Sequence, residues 1–471
     1  MKTVLAFDFG ASTGRAIRAT FAENRISCQE IHRFDNIPVQ RNGHCCHDIP
    51  MMMSQIDRAI EKAGPVDSLA FDTWGVDYGL LDEDGRLLEL PCHYRDTRTD
   101  GILERAASIM SADELYQHTG NQIMSINTLF QLLTDENVQR ARHLLFMPDL
   151  FGYLLTGNMA CEYTIASTSQ MLDPRQRQWS KAVTDAFSIP RHLFPPFRKA
   201  PSVLGSYKGI RVITVAGHDT QCAVAAMPCR ETQAAFLSCG TWSLIGCERD
   251  APVLSGESNA CALSNELGAN GAINYLKNIS GLWLIQKLRR DLAANGEACS
   301  YNELEQMARQ SRPFLSLIDP DAPMLSSPGD LMENMKRYCR TTGQRCPESV
   351  GETARLIYEG LALKYRCALD QITRCTAQPF TVLHMLGGGT RDRFLCQLTA
   401  DCLGIRVVAG PAEATALGNI ILQLIALGAL ESVEQGRQVI AESEAVTDYE
   451  PYPVAGMDEA YKGFLKLIGN S

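Results

Sequence analysis

Two acids stand where strand-like runs give way to small residues, and they are the first candidates for chemistry. Asp8 ends the apolar run Val4-Leu5-Ala6-Phe7 and is followed by Gly10-Ala11-Ser12-Thr13-Gly14 and a cation, Arg15. Small side chains in such a turn leave backbone N–H groups free to face an anion, and Gly10 and Gly14 can take positive φ. An acid beside a phosphate-binding turn is repelled by its ligand unless a divalent cation lies between them, and Mg²⁺ with its waters is the usual solution. Asp8 is therefore a candidate for holding a metal through water. An ordinary N-terminal hairpin fits the same residues. Asp219 lies after the strand-like Arg211–Val215 and Gly217-His218, at the start of a small-residue helical run. There the helix dipole keeps a carboxylate ionised and able to accept a proton. A helix N-cap is the competing reading of that aspartate.

Other motifs give less. Asp8-Phe9-Gly10 lacks the glycine loop, strand lysine and catalytic loop that precede the same tripeptide in protein kinases. Gly10–Gly14 spells a nucleophile elbow, but Arg15–Ala19 alternates like a strand and does not begin a helix. His44-Cys45-Cys46-His47 sits in an alternating stretch whose neighbours point to opposite faces, so four converging zinc ligands are not expected. Trp74 and Asp77 are candidates for binding or walling off a ligand, with a core role for the tryptophan as the alternative. Arg95 and Arg98 fit a binding role and a surface salt bridge equally.

These residues must be positioned by more than one domain. A chain of 471 residues exceeds one ordinary domain, and 45% hydrophobic residues can fill sizeable cores. A net charge of −10 argues against a nucleic-acid partner, so any phosphate site is local, made by backbone and metal. No apolar run reaches the length of a membrane span, and Asp8 interrupts the N-terminal run too early for a signal peptide. Seventeen cysteines without a CxxC pair then read as reduced thiols in a cytoplasmic protein.

Periodicity predicts a three-strand meander over 3–9, 13–21 and 26–34, a helix over 51–62, and strands at 66–71 and 211–215. A hairpin is expected around Asp84-Gly85, mostly helix over 102–155, and an irregular connection over 173–210. The second half predicts strands at 234–237, 244–247, 380–386 and 405–408. Its helices are expected over 281–294, 301–311, 351–374, 391–403 and 412–426. The halves echo each other. AFDFGASTG corresponds to AAFLSCGTW, and VITVAGHDTQCAVAAM to IRVVAGPAEATALGNI, in the same order. Two ordered echoes point to a duplicated α/β domain, 1–231 and 232–471, with ligands at the carboxyl ends of the strands on a cleft between the copies.

With these motifs in hand, the chain resembles the FGGY family of carbohydrate kinases, within the ribonuclease H-like fold of actin, Hsp70 and sugar kinases. Asp8-x-Gly10-x-Ser12…Arg15 and Ser238-x-Gly240-Thr241-Trp242 resemble its two phosphate motifs. Gly387-Gly388-Gly389 resembles its adenosine motif, and Gly217-His218-Asp219-Thr220 the segment carrying its base. The resemblance implies ATP and Mg²⁺ as cofactors and a small sugar as partner, and sets no oligomeric state. It assigns Asp219 as catalytic base, and Gly75, His218, Asp219, Thr220 and Asn278 to the sugar. Ala11, Ser12, Thr13, Gly14, Arg15, Thr241, Gln286 and Gly388 go to the nucleotide. Glu413, the echo of Asp219, reads as structural. The stretches Glu30–Asn36, Asp72–Asp82, Tyr94–Thr99, Met147–Gly157 and Leu276–Gln286 narrow the resemblance to kinases of L-rhamnulose, giving the 1-phosphate and ADP. L-Fuculose or a pentulose is the alternative substrate, shared motifs being Thr168–Asp173 and Gly217–Gln221. A nucleotide-binding protein of actin or Hsp70 type without sugar chemistry is the alternative of another class. The family's first signature carries a lysine where this chain has Gln131.

Overall fold

A computed structural model describes residues 1–229 and 231–469. The chain forms two compact units. The first is Met1–Pro228 with Glu248–Tyr275 and Glu413–Ala445, and the second is Cys229–Cys247 with Leu276–Ala412 and Val446–Ser471. The first change of unit falls near the boundary expected at 231/232. The units differ from the expected contiguous halves because two later segments return to the first.

The first unit is built on a six-stranded sheet. Its strands are β1 (Lys2–Phe9), β2 (Thr13–Ala22), β3 (Arg25–Asp35), β4 (Ser68–Thr73), β5 (Ser202–Tyr207) and β6 (Ile210–Thr214), in the order β5-β6-β4-β1-β2-β3. β1 and β2 are antiparallel with Asp8 opposite Arg15. β4 is parallel to β1 with Asp8 beside Asp72, and β6 is parallel to β4. Beyond the last rung, the Thr73 amide donates to the Gly217 carbonyl at 2.8 Å. The parallel register therefore delivers Asp8, Asp72 and the Gly217-His218-Asp219 turn to one end of the sheet.

β1 is buried along nearly its whole length, as a strand covered on both faces must be. Helix α1 (Ile49–Ala63) is one cover. Asp48 caps it by accepting from the Met51 amide at 3.0 Å, Pro50 lies in its first turn, and Gly64 ends it at φ 65°. It buries Ile49, Met52, Ile56, Ala59, Ile60 and Ala63, the stripe expected of an amphipathic helix. Each large aliphatic side chain so buried contributes about 1.5–3 kcal/mol. Helix α2 (Asp219–Ala225) follows the Gly217-His218 turn and packs on helix α6 (Ala414–Ala426). A Cβ on Gly418 would overlap the Cys222 carbonyl, so glycine there lets the two backbones meet. Gln423 of α6 donates to the Leu5 carbonyl of β1 at 3.1 Å and accepts from the Ser68 hydroxyl at 2.7 Å. Helix α6 is thus bound into the first unit by buried polar contacts, which a sequence echo at 405–426 does not reveal.

Neither Gly10 nor Gly14 uses the positive φ open to it. Gly14 is small for a different reason, since a Cβ there would overlap the Phe34 ring. The stretch 102–155 is less helical than its pattern, with a strand at His143–Phe146 between short helices. That strand pairs with Tyr78–Leu81, and the hairpin expected around Asp84-Gly85 closes on an antiparallel Leu81–Leu87 bridge, with the Leu88 amide donating to the Leu80 carbonyl at 3.0 Å and the Asp82 amide to the Arg86 carbonyl at 2.9 Å. The 173–210 connection holds a short helix, Lys181–Ala186, and β5, which the proline-rich composition hid.

In the second unit, β7 (Ala234–Cys239), β8 (Trp242–Arg249), β10 (Ile273–Ser280), β11 (Val382–Leu386), β12 (Arg406–Ala409) and β13 (Thr447–Tyr449) run in the order β10-β8-β7-β11-β12-β13. The antiparallel hairpin and the two parallel strands beside it repeat the β2-β1-β4-β6 pattern. Strand β9 (Ser264–Leu267) belongs to the first unit. Helices α3 (Trp283–Ala294), α4 (Val350–Thr376) and α5 (Arg393–Leu403) complete the parts used below. Among the described residues no helix is long and apolar enough to cross a membrane.

Candidate active site

The Gly217-His218-Asp219 turn of the first unit is held by a buried carboxylate with no motif of its own. Glu162 Oε2 accepts from the amides of Gly217 at 2.9 Å, Thr164 at 2.8 Å and Ile165 at 3.1 Å, and from the Thr164 hydroxyl at 2.6 Å. The Thr164 hydroxyl oxygen in turn accepts from the His218 amide at 3.3 Å. Gly217 fits because a Cβ would press on Pro148 at 2.8 Å and on Ile165 at 3.2 Å. His218 becomes the N-cap residue of α2 and Asp219 its first helical residue. The capping alternative for Asp219 therefore fails. Asp219 Oδ1 accepts from its neighbour Thr220, from the amide at 2.5 Å and the hydroxyl at 3.2 Å, and the other carboxylate oxygen is left available.

The electrostatics of Asp219 differ from the expectation of a carboxylate kept ionised by the helix. Burial pushes its carboxyl above the ordinary value of 3.8, His218 pulls it back, and the like charge of Asp8 adds to the rise. About a third of the side-chain surface, 31%, is still open to solvent. Helix α2 is only seven residues long, and burial is the largest cause of the rise. A raised pKa makes a stronger base once ionised.

Asp8 is paired with Arg15 across the β1–β2 register, and the other guanidinium nitrogen of Arg15 pairs with Glu413. Glu413 thus has the structural role expected of it. Asp72 is fully buried. Its Oδ2 accepts from Asn419 at 2.7 Å, Oδ1 has no hydrogen-bond partner, and burial followed by repulsion from Asp8 raises its carboxyl well above the usual range. Asp8, Asp72 and Asp219 feel one another's charge, with the Arg15 guanidinium against Asp8; of these, Asp8 offers the hard oxygen that would face a water-held divalent cation. The 10–13 turn is closed by the Gly10 amide donating to the Thr13 carbonyl at 2.9 Å. Asn36 staples it, its amide donating to the Ser12 carbonyl at 2.9 Å and Nδ2 to the carbonyls of Gly10 at 3.3 Å and Ala11 at 3.4 Å. Ser12 stays exposed, while Gly14 is buried under Phe34. Asn36 was not foreseen, although it ends a stretch quoted for the family resemblance.

Gly75 begins a strained loop. Val76 next to it holds φ 69°, a conformation β-branched residues avoid. It is clamped there. The Val76 amide donates to the Thr168 hydroxyl at 3.1 Å, and its carbonyl accepts from the Thr128 hydroxyl at 2.7 Å and Gln131 Nε2 at 3.4 Å. Gln131 also donates to Asp77 Oδ1 at 3.1 Å and accepts from Arg98 at 2.7 Å. The residue standing in place of the family's lysine is therefore a tie for this loop. Asp77 is fully buried and accepts at Oδ2 from Trp74 at 2.9 Å and from the Tyr94 amide at 3.2 Å, with His47 Nε2 at 2.8 Å. These four internal partners tie Asp77 into the loop. Arg98 is buried over the Tyr78 ring and not a surface residue, whereas Arg95 is exposed. His44 faces Asp96 at 3.0 Å while His47 faces Asp77, so the HCCH stretch does not converge. Among the described residues the group able to hold a metal by proximity alone is Cys229, Glu231 and His384. Arg406 already neutralises Glu231 there at 2.7 Å.

In the second unit the turn at Gly240-Thr241 receives the start of α3. The Leu282 amide donates to the Gly240 carbonyl at 3.0 Å and the Trp283 amide to the Thr241 carbonyl at 3.3 Å. Gln286 follows one helical turn later, with its amide on the Leu282 carbonyl. Gly387 takes φ 84° and would place a Cβ 3.2 Å from the Cys239 carbonyl, and a Cβ on Gly389 would overlap the Cys239 side chain. Those two glycines are required by packing. Gly388 is exposed with nothing within 4 Å of its Cβ position, so packing does not require glycine there. Asn278 lies half-buried on β10.

This arrangement, a duplicated sheet with acids at its strand ends and glycine turns beside them, is that of a sugar kinase. The pattern of the FGGY family of carbohydrate kinases, N-terminal domain, matches residues 3–236, and that of the C-terminal domain matches 235–427. The chain belongs to the FGGY family of carbohydrate kinases and so uses ATP. The rhamnulokinase of Bacteroides thetaiotaomicron is 40% identical over 98% of this chain and 99% of its own. That of Enterococcus faecalis is 37% identical over 99% and 98%, and that of Bacillus subtilis 36% over 95% of each. The solved structure of a ligand-bound xylulose kinase from Lactobacillus acidophilus superposes with a TM-score of 0.81 over 100% of this chain and 98% of its own, at 15% identity. A Plasmodium falciparum glycerol kinase with ADP gives 0.76 over 100% and 98%, also at 15%. Both share the fold.

Proposed function

We propose that the protein transfers the γ-phosphoryl group of ATP to the 1-hydroxyl of L-rhamnulose, giving L-rhamnulose 1-phosphate and ADP in L-rhamnose breakdown. The reaction class is carried by the register that sets Asp8, Asp72 and Asp219 at one sheet end. The choice of sugar is supported by rhamnulokinases 36–40% identical over nearly the whole chain. Phosphoryl transfer needs the attacking hydroxyl deprotonated, the phosphate charge neutralised and the two in line.

In this reading Asp219 accepts the hydroxyl proton, and His218, Thr220, Gly75 and Asn278 contact the sugar. Thr220 also orients the base, its hydroxyl donating to Asp219 Oδ1 at 3.2 Å. Ala11–Arg15, Thr241, Gln286 and Gly388 serve the nucleotide. Mg²⁺ would be held near Asp8 through water and supply charge neutralisation at the phosphates. The cytoplasm is the compartment that suits seventeen free thiols.

The test is ADP release with L-rhamnulose, L-fuculose, L-xylulose, D-xylulose, L-ribulose and glycerol. The highest kcat/KM is expected with L-rhamnulose. A preference for L-fuculose or a pentulose overturns the substrate, and ADP release indifferent to every sugar overturns the kinase reading.

A further inference from the structure

Glu266 is far from the catalytic turn in sequence and belongs to no motif, yet β9 brings it to His218. Glu266 Oε2 lies 3.0 Å from His218 Nδ1. The other ring nitrogen, Nε2, lies 3.4 Å from Asp219 Oδ1. His218 and Glu266 are both buried, at 7% and 4% exposure. The glutamate is itself held in place. Gln221, on the same helix as Asp219, donates through Nε2 to Glu266 Oε2 at 2.7 Å, and Asn274 Nδ2 donates to Gln221 Oε1. An ionised carboxylate only accepts, so the ring nitrogen facing Glu266 carries the proton and the ring is fixed with Nε2 toward Asp219.

We propose that Glu266 is a positioning residue for phosphoryl transfer: it accepts from His218 Nδ1–H, holds the imidazole against Asp219, and through that ring sets the protonation of the base. This rests on Asp219 being the base. The same carboxylate–imidazole–reactive-group order orients a histidine in many active sites. Here the third member is a carboxylate base and not a nucleophile. Burial alone would lower the His218 pKa, but the charge and hydrogen bond of Glu266, then Asp219 and Glu162, outweigh it and raise it above 6.5. A protonated His218 in turn favours the ionised form of Asp219, against Asp8 of β1 and Asp72 of β4. Removing the charge of Glu266 therefore moves two groups in opposite directions. His218 loses its proton at lower pH, and Asp219, deprived of a cation, gains one at higher pH.

The experiment measures kcat and KM against pH for the full-length Glu266→Gln enzyme, and repeats it in a His218→Asn background. We expect kcat to fall on the order of 10- to 100-fold with KM for MgATP unchanged, as for a misplaced catalytic group. The acid limb of the kcat profile should move up and the alkaline limb down, narrowing the bell. In the His218→Asn background, Glu266→Gln should cost nothing further. A Glu266→Asp enzyme keeps the charge and, should the glutamine variant fail to fold, replaces it. Its kcat should fall without narrowing the bell, and that loss should also vanish without His218. Unmoved limbs in Glu266→Gln, or a loss of the same size in the His218→Asn background, overturn the proposal. Asp219→Asn is assayed in parallel. Turnover surviving in it removes the base and the link to it, whereas an inactive Asp219→Asn with unmoved Glu266→Gln limbs overturns the role of Glu266 alone.

Discussion

At the scale of single residues, the site works by placing like charges close enough to matter. Asp219 is pushed up by burial and by Asp8, and only its ionised form accepts a proton. Activity should therefore fall on the acid side at a pH above the ordinary aspartate value of 3.8, measured as the acid limb of kcat/KM. Asp219→Asn should lower kcat by about 10²–10⁴ while nucleotide binding, followed by equilibrium dialysis with ATP, persists. Loss of ATP binding in that variant would place Asp219 in the nucleotide site instead. Gly14 was read as a turn glycine and is a packing glycine. Gly14→Ala should destabilise by about 1–3 kcal/mol, seen in the urea midpoint, because Phe34 must give way.

Elements carry the loops that carry the site, and here buried polar groups do the holding. Glu162 satisfies three amides and a hydroxyl around Gly217. Glu162→Ala leaves those donors buried and unpaired, so unfolding free energy should drop by about 3 kcal/mol or more in a urea titration, with kcat falling as well. The loop of Trp74–Asp77 rests on a stack of His47, His93 and Tyr94, with ring centroids 4.8 and 4.5 Å apart. Burial, with help from His47, depresses His93 from 6.5 to about 4. The unfolded chain takes up this proton below pH 6.5 and the folded chain only near pH 4, so stability is lost as pH falls through that window. Urea midpoints between pH 7 and 4 should show the decline, and His93→Gln should flatten it. These anchors were not legible beforehand. A buried carboxylate receiving amides from a distant turn has no local spacing to mark it, and the ties of Asp77 to His47, Trp74 and Gln131 span positions that no local motif links.

For the whole molecule, the duplication is the main organising fact. Each unit sets an antiparallel hairpin beside two parallel strands, and the small-residue turns follow from that pattern. Ligands that bind the folded protein stabilise it by mass action. MgATP or L-rhamnulose at a hundred times its dissociation constant should add about 2.7 kcal/mol, read as a rise in Tm, and D-xylulose should add less at equal concentration.

By itself the sequence determined the repeated strand–turn–strand pattern, the family, and the positions of Asp8, Asp219 and the glycine turns, because each is written in a contiguous run with its own periodicity. Tertiary structure alone decided which chain segments share a unit, that Arg15 joins Asp8 to Glu413, that Gln131 and Asp77 lock a strained loop, and that Glu162 and Glu266 attend the catalytic turn. Those contacts join residues tens to hundreds of positions apart, and only strand register and helix packing bring such residues within hydrogen-bond distance.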